Sequence, residues 1–333
     1  MTDSGTPTLH GVIAARPHVY RYLKPTPLYR YSGLSELIGA NVWVKHENHQ
    51  PVGAFKVRGG LNLVAHLNRE ERNSGLFTAS TGNHGQSIAY AARAYGVRAT
   101  IAVPEGANPG KVAAMRGLGA EVVFHGRDFD SAREWVESVA RQQGGRFVGA
   151  TEELLIHGVG TYALEIIEEL AEVDAIIIPV GGGSGACATG IVAKTINPGI
   201  QVIGVQSAQA PAMQLSWASG KMVCADSSTV AEGLATRVPF ENTQGLMRKY
   251  LDDFVLVDDD AIEAAVLLLL EHTHNLAEGA GAASLAAAIK LKHRLVGKNV
   301  VLVMSGGNLS VEQLRRVRAR PKLPESASIK GAA

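Results

Sequence analysis

A lysine that follows a predicted strand and a turn is the first candidate for chemistry in this sequence. Lys56 lies in the run PVGAFKVRG at residues 51–59, after the short apolar segment 42–44. A neutral lysine amine held in a desolvated site is a nucleophile that forms a Schiff base with a carbonyl carbon. A solvated lysine at the start of a helix would explain the same run, so Lys56 needs support from other motifs.

A second motif, STGNHGQ at residues 80–86, joins the end of a predicted strand to the start of a helix. Ligands of open parallel sheets bind at this carboxyl end of the strands. Free backbone amides at the helix start, together with Ser, Thr and Asn side chains, form a set of donors that suits a carboxylate. Helix capping by Ser80 and Asn83 is the alternative, but it does not explain Gly82 and Gly85.

The third motif is the glycine loop VGGGSG at residues 180–185, again between a strand and a helix. Successive amides without a Cβ can surround a phosphate, and the helix dipole favours the anion. The loop lacks the Lys-Ser/Thr ending of a nucleotide P-loop, and Gly181, Gly183 and Ala186 fit the dinucleotide fingerprint loosely. A phosphate is the expected ligand and a simple tight turn the alternative; the motif alone does not identify the phosphate.

A fourth motif, MSGGN at residues 304–308, follows the apolar segment 300–303. A serine hydroxyl at the end of a strand can donate to, or accept from, a ring nitrogen. Ser-Gly-Gly-Asn is also an ordinary turn sequence. The motif therefore has weight only in combination with the other three.

Short apolar segments and helical patterns alternate along the chain and position these motifs. The apolar segments lie at 42–44, 76–79, 99–103, 121–124, 175–179, 202–205 and 300–304, and the helical patterns include 56–67, 83–95, 109–118, 128–142 and 185–196. This order predicts an α/β protein with two open, twisted sheets of mainly parallel strands covered by helices. We expect a small α/β domain of four strands at 71–149, a large domain at 1–70 and 150–333, and a frayed tail from residue 320.

Composition excludes several classes of protein. The 333 residues are 46% hydrophobic and carry a net charge of +1, with no basic stripe for nucleic acid or a membrane surface. The longest apolar stretch, 261–270, is interrupted by Glu263 and is too short to span a bilayer. Two cysteines and an N-terminus without a signal-peptide pattern lead us to expect a cytoplasmic protein that binds a small molecule.

Together, the four motifs resemble the serine/threonine dehydratase and serine racemase family, in order and in spacing. The similarity runs from about Pro25 to Asn308 and includes TVAEGL at 229–234 and EGAGAA at 278–283. It implies a pyridoxal 5'-phosphate (PLP) enzyme of fold type II, the tryptophan-synthase-β type, and a homodimer. The implied activity is that of an ammonia-lyase, which converts a β-hydroxy-α-amino acid, L-threonine or L-serine, into a 2-oxo acid and ammonia by α,β-elimination.

The resemblance also assigns roles to individual residues. Lys56 is implied to hold the cofactor as a Schiff base and to take the substrate α-proton, and Ser305 to meet the pyridine nitrogen. A neutral serine would not keep that nitrogen protonated, which favours rapid loss of a β-hydroxyl. The other implied cofactor contacts are Phe55, Asn83, Gly181, Gly182, Gly183, Ser184, Gly185 and Glu278. The implied substrate contacts are Ser80, Thr81, Asn83, His84 and Glu232.

Three departures from the family pattern bear on the activity. Gln206 and Ala212 occupy the positions where many members carry carboxylates for a divalent cation, and we therefore expect no metal site. Thr81 occupies the position of the racemase acid/base serine; packing or carboxylate binding is preferred, and proton transfer by the threonine hydroxyl is the alternative. Glu232 replaces the more usual aspartate, and Ser184 replaces the fourth glycine of the loop. These two replacements leave the identity of the substrate undetermined.

Several other functions are compatible with the sequence. Within the same family, the substrate could be 3-hydroxyaspartate or phenylserine, or the enzyme could be an amino-acid racemase. A non-catalytic PLP binder and a nicotinamide-dependent Rossmann enzyme belong to other classes. The visible absorbance of a bound cofactor separates the PLP proteins from the nicotinamide enzyme, and ammonia release separates the enzyme from the binder.

Overall fold

The structure of the protein is a computed structural model, described for residues 5–319. The tail expected from residue 320, and residues 1–4, lie outside the described part. Within it, the strands are β1 (Leu28–Arg30), β2 (Asn41–His46), β3 (Leu76–Ala79), β4 (Ala99–Val103), β5 (Glu121–Phe124), β6 (Arg146–Phe147), β7 (Ala175–Pro179), β8 (Gln201–Ser207), β9 (Asp253–Val257) and β10 (Asn299–Met304).

Helices connect most of these strands, as the alternating pattern predicts. The α-helices are α1 (Leu9–Tyr20), α2 (Ser32–Ile38), α3 (Lys56–Ala65), α4 (Arg69–Ser74), α5 (Asn83–Tyr95), α6 (Pro109–Gly117), α7 (Phe129–Gln142), α8 (Glu153–Glu169), α9 (Ser184–Ile196), α10 (Ala212–Ser219), α11 (Glu241–Tyr250), α12 (Asp259–Thr273), α13 (Gly279–Lys290), α14 (Lys292–Leu295) and α15 (Val311–Ala319). Short 3₁₀-helices cover Glu47–His49 and Glu232–Leu234. Among residues 5–319, no helix combines the length and the apolar character needed to cross a membrane.

The strands form two sheets. The larger sheet has the order β1-β2-β10-β7-β8-β9 and is parallel except for β1, which pairs antiparallel with β2. The smaller sheet has the order β5-β4-β3-β6 and is parallel throughout. The predicted α/β class with two mainly parallel sheets is confirmed. All strands of the smaller sheet lie between residues 76 and 147, and the domain limits at 71 and 149 stay a prediction.

Strand β7 shows why strands of the large sheet consist of uninterrupted apolar residues. All five of its residues are buried. Ile177 packs into one hydrophobic cluster, with residues of α12 and α13, while Ile176 and Ile178 pack into another, with residues of α8 and α9. Because side chains alternate along a strand, a strand with helices on both faces needs apolar residues at every position.

A buried network of charges ties α3 to β2 and α8. Arg58 is fully buried, and its guanidinium donates to both carboxylate oxygens of Glu47, at 2.7 and 2.8 Å, and to both of Glu165, at 2.6 and 2.9 Å. Lys45 Nζ lies 2.6 Å from Glu165 Oε2, which balances two positive charges with two negative ones. Burial alone would lower the pKa of Arg58, but the two carboxylates raise it above its ordinary value.

We expect Arg58→Met to destabilise the protein strongly. The substitution keeps most of the side-chain volume but leaves Glu47 and Glu165 without their shared buried partner, a change that costs about 3–5 kcal/mol. The measurement is the free energy of unfolding in urea. Arg16→Met is the control: it removes a surface pair with Glu168 whose side chains are 37% and 50% exposed, and such pairs contribute about 0–1 kcal/mol. Equal losses in the two variants would contradict the role of the network.

Candidate active site

Lys56 is the first residue of α3, and a turn with Gly53 at φ +66° delivers the chain to it. Its Nζ donates to Ser184 Oγ at 2.6 Å and to the carbonyl oxygen of Ala150 at 3.3 Å. Part of the side chain remains accessible, but burial lowers the pKa of Lys56 to about 8. A much larger fraction of this amine is therefore neutral near neutral pH than of an ordinary lysine, as a nucleophile requires.

The glycine loop begins where β7 ends and leads into α9. A Cβ on Gly181 would lie 2.2 Å from the carbonyl oxygen of Gly233, and Gly183 has φ +95°, so both positions require glycine. Gly183 is also the N-cap of α9 and has no side chain to occupy the first amides of the helix. These amides, at the positive end of the helix dipole, are suited to a phosphate.

The aromatic ring of Phe55 lies beside both the lysine and the glycine loop. Lys56 Nζ is 5.5 Å from the centroid of this ring, and a Cβ on Gly185 would lie 3.4 Å from Phe55 Cζ. The Phe55 amide donates to the carbonyl oxygen of Ser305 at 3.1 Å, which brings the fourth motif beside the first. An amine, a glycine loop at a helix start, an aromatic ring and the backbone of the buried Ser305 therefore lie close together. This set of groups fits a phosphorylated aromatic aldehyde such as PLP.

The serine of the second motif caps the helix that follows it. Ser80 Oγ accepts from the amides of Gly82 and Gly85 at 3.2 and 2.9 Å, so capping explains this residue. The N-cap position of α5 is Gly82, and Asn83 does not cap the helix. Thr81 lies partly exposed in the same loop. The contacts of Ser80 and Thr81 with a substrate stay predictions.

His84 is buried at the start of α5. Its Nε2 lies 3.1 Å from Thr78 Oγ1 of β3. Burial, and then the charge of Lys56, lower the pKa of His84 to about 3, which keeps the ring neutral. The contact that the structure records is thus with the small sheet, and the predicted contact of His84 with the substrate carboxylate stays a prediction.

Asn83 joins the second motif to the fourth. Its Nδ2 donates to Glu278 Oε1 at 2.6 Å, and its Oδ1 accepts from Asn308 Nδ2 at 2.8 Å. Glu278 is buried, and burial raises the pKa of its carboxyl group. A Cβ on Gly306 would lie 2.6 Å from Glu278 Oε1, so the backbone of the fourth motif packs closely against the carboxyl group. The structure therefore brings Asn83, Glu278 and the fourth motif together.

Two residues of α11 that support the site were not predicted from the sequence, one of them through the glycine loop. Thr243 Oγ1 donates to the carbonyl oxygen of Gly182 at 2.7 Å. Asn242 Nδ2 donates to the carbonyl oxygen of Thr151 at 2.7 Å, next to the Ala150 carbonyl that faces Lys56. Both belong to the first turn of α11, and Thr243 lies 61 residues from its partner. Asn and Thr at a helix start are ordinary in a sequence, so nothing there marks them as functional.

Glu232 lies at the outer side of the site. It contacts Lys111 of α6 and accepts from Gln313 Nε2 of α15 at 3.2 Å. Its side chain is 44% exposed, whereas that of Lys111 is 13% exposed. The predicted contact of Glu232 with the substrate stays a prediction. Lys111 and Gln313 were missed because neither belongs to a motif with a recognisable spacing.

The segment that holds a divalent cation in many family members carries uncharged side chains at the two ligand positions in this chain. Gln206 is buried, and its side chain accepts from the amide of Gln214 at 3.1 Å and donates to the carbonyl oxygen of Leu234 at 3.4 Å. Ala212 is the buried first residue of α10. Within residues 5–319, no three His, Cys, Asp or Glu side chains are grouped to hold a metal ion.

Comparison with known proteins identifies the family. The family model "Pyridoxal-phosphate dependent enzyme" matches residues 19–306. The L-threonine ammonia-lyase of Thermotoga maritima is 38% identical over 93% of this chain and 78% of its own length. The biosynthetic L-threonine dehydratase of Haemophilus influenzae is 34% identical over 96% of this chain, which spans 63% of that relative.

Solved structures agree with this result. The processed form of threonine deaminase isoform 2 from Solanum lycopersicum superposes with a TM-score of 0.88 and 32% identity, covering 93% of this chain and 91% of the other. Maize serine racemase superposes with a TM-score of 0.89 and 28% identity, covering 94% and 97%. The folds therefore match over nearly the whole of each chain.

We expect Gly181→Ala to weaken PLP binding. The added methyl group would meet the Gly233 carbonyl oxygen, and the loop would have to shift; overpacking of this kind costs about 1–3 kcal/mol, or roughly 5–150-fold in affinity. Equilibrium dialysis of the apoprotein against PLP measures the effect. Gly245→Ala in α11 is the control, because a Cβ there has no neighbour within 4 Å. Equal affinities of the two variants would rule out a tight cradle at residue 181.

Proposed function

Since this chain belongs to the family of pyridoxal-phosphate dependent enzymes, we propose that it is an ammonia-lyase that converts L-threonine or L-serine into a 2-oxo acid and ammonia. The observation that carries the proposal is the amine of Lys56, which lies 2.6 Å from Ser184 at the start of the glycine loop. Relatives named L-threonine ammonia-lyase and L-threonine dehydratase, at 38% and 34% identity, support L-threonine as the substrate.

The cofactor is held, in this proposal, by groups from all four motifs. When bound, PLP supplies an electron sink for the negative charge that develops at the substrate α-carbon. Lys56 holds it covalently, and the amides of residues 181–185 hold its phosphate. Phe55 would lie along the ring, Asn83 would bind the ring oxygen, and Ser305 would meet the ring nitrogen as a neutral partner. Glu278 completes the pocket through its hydrogen bond to Asn83.

Lys56 also moves the proton in this proposal. Its Nζ must be neutral to accept the α-proton, and the pKa of about 8 leaves a substantial neutral fraction near pH 8. Ser184 Oγ and the Ala150 carbonyl oxygen accept hydrogen bonds from Nζ and fix its position. The substrate carboxylate binds the loop at residues 80–84, on the side of the site that carries Thr81.

Three further features belong to the proposal. The small α/β domain comprises residues 71–149, and the remainder forms the large PLP-binding domain. The enzyme works as a homodimer, which the family resemblance supports. It is a cytoplasmic enzyme, and its two cysteines, buried Cys187 and exposed Cys224, are free thiols, as a reducing compartment favours.

We expect Lys56→Ala to abolish ammonia release from L-threonine. The variant loses the covalent anchor and the base together, and loss of a general base alone costs about 10²–10⁴-fold in rate. Ammonia and 2-oxo acid are measured with L-threonine and L-serine, and borohydride reduction tests for cofactor fixed to the chain. Lys292→Ala is the control, because Lys292 is exposed on a distant helix. A colourless wild-type protein, or equal ammonia release by wild type and Lys56→Ala, would contradict the proposal.

We expect the activity to persist in excess chelator. The family's cation segment has uncharged Gln206 and Ala212 in this chain, and hard cations need anionic oxygen ligands. Ammonia release is measured after dialysis against EDTA, with and without added Mg²⁺. Equal rates are the expected result. A loss of activity that Mg²⁺ restores would show that another part of the chain supplies the ligands.

A further inference from the structure

Three elements meet above the proposed substrate site. Lys111 extends from α6 to Glu232, in the 3₁₀-helix Glu232–Leu234. The second carboxylate oxygen of Glu232 accepts from Gln313 of α15 at 3.2 Å. Gln313 is itself fixed, because its side chain accepts from the amide of Ser310 at 2.9 Å. A small cavity lies beneath this contact, between Lys111, Glu232 and Glu278.

The ammonium of Lys111 also lies beside the predicted carboxylate-binding loop. A Cβ on Gly82 would be 3.7 Å from Lys111 Nζ. Lys111 is close enough to Glu278 to act on its carboxyl group: burial raises the pKa of Glu278, the charge of Lys111 lowers it, and that of Glu232 raises it. Lys111 therefore lies close both to a carboxylate of the protein and to the loop at residues 80–84, where a substrate carboxylate is expected.

We propose that Lys111 is a specificity-determining residue, and that its ammonium exchanges Glu232 for the carboxylate of the incoming amino acid. This inference rests on the proposed function, since it uses the carboxylate site at residues 80–84. A charge-assisted hydrogen bond is strong when the ammonium is largely shielded from water, and the Lys111 side chain is 13% exposed. The exchange keeps this ammonium paired before and after binding.

Glu232 can release Lys111 without becoming a buried, unpaired charge. Its side chain is 44% exposed, so water can solvate the carboxylate. The hydrogen bond from Gln313 goes to Oε1, whereas the Lys111 contact is through Oε2, so this bond can remain. In this arrangement Glu232 competes with the substrate for Lys111.

The exchange predicts effects of opposite sign on substrate binding. Lys111→Met removes the attraction, and loss of a hydrogen bond to a charged group lowers affinity roughly 10–100-fold. This loss is expected in KM, with kcat within about threefold of wild type, because the contact is made in the ground state and in the transition state alike. Glu232→Gln removes the competing charge and is expected to lower KM about threefold or more. If the ion pair merely held the site closed, replacing either residue would weaken substrate binding.

The test uses the holoenzyme and two readouts. The first is steady-state kinetics with L-threonine. The second is calorimetric binding of L-alanine, which has no β-hydroxyl to eliminate, and of L-alaninamide, which has no carboxylate. Lys111→Met is expected to weaken L-alanine binding and Glu232→Gln to strengthen it. Binding of L-alaninamide is expected to change less than about twofold in either variant, because it lacks the group that Lys111 recognises.

Two further variants serve as controls. Lys194 pairs with Asp252 away from the site, and the exposures of 16% and 40% match those of Lys111 and Glu232. Lys194→Met is expected to leave KM unchanged. Lys111→Arg retains the positive charge and is expected to keep L-alanine binding within about fivefold of wild type. If Lys111→Met does not fold, Glu232→Gln and Lys111→Arg still decide the matter.

Weaker L-alanine binding by both Lys111→Met and Glu232→Gln would overturn the inference, as would an equal effect on L-alaninamide. The two proposals fail separately. The two variants could change L-alanine affinity in the expected opposite directions while the wild type releases no ammonia from L-threonine. This result would reject the proposed reaction and support the role of Lys111. Ammonia release with no shift in either variant would do the reverse.

Discussion

The rest of the site depends on the buried ion pairs of Arg58. This residue follows Lys56 by two positions, and its guanidinium bonds to both oxygens of Glu47 and of Glu165. Four hydrogen bonds to carboxylates from two other elements fix the first turn of α3 in position and in rotation. Lys56 begins that turn, so the same contacts determine where its amine meets the glycine loop. Because bidentate Arg–carboxylate geometry is specific in direction, the network fixes orientation as well as position.

Desolvation then sets the chemistry of the groups around the amine. Burial lowers the pKa of Lys56 to about 8 and that of His84 to about 3, and it raises the pKa of Glu278. All three shifts favour the neutral form, as expected for groups that are largely shielded from water. A neutral His84 adds no positive charge next to the amine. Burial thus favours a neutral Lys56 amine, as its proposed roles require, and the amine donates to Ser184 and to the carbonyl oxygen of Ala150.

The sequence was informative where a short segment alone determines the local structure. The glycine at residue 183 is required by φ +95°, and the helix predicted over 83–95 matches α5. The resemblance to the dehydratase and racemase family is confirmed by the family model over residues 19–306 together with the matching L-threonine ammonia-lyase, threonine deaminase and serine racemase. The edge strand β1 and the two-residue β6 were missed, because two or three residues do not reveal a period. The five-residue strand β9 at the other edge of the large sheet was missed as well. Distant pairs were missed for another reason: Lys111 and Glu232 are 121 residues apart, and polar side chains at such positions have many possible partners.

The two ends of the site are built from different parts of the chain. The proposed phosphate end uses β7, the start of α9 and the start of α11, all of which follow residue 150. The proposed carboxylate end uses the loop at residues 80–84 and Lys111 of α6, which lie within the predicted small domain. The ion pair of Lys111 with Glu232 is thus a contact between the predicted domains as well as a part of the proposed substrate site. If the substrate takes over this ammonium, the binding of an amino acid alters an interdomain contact directly, whereas the phosphate contacts lie within one domain and need not change.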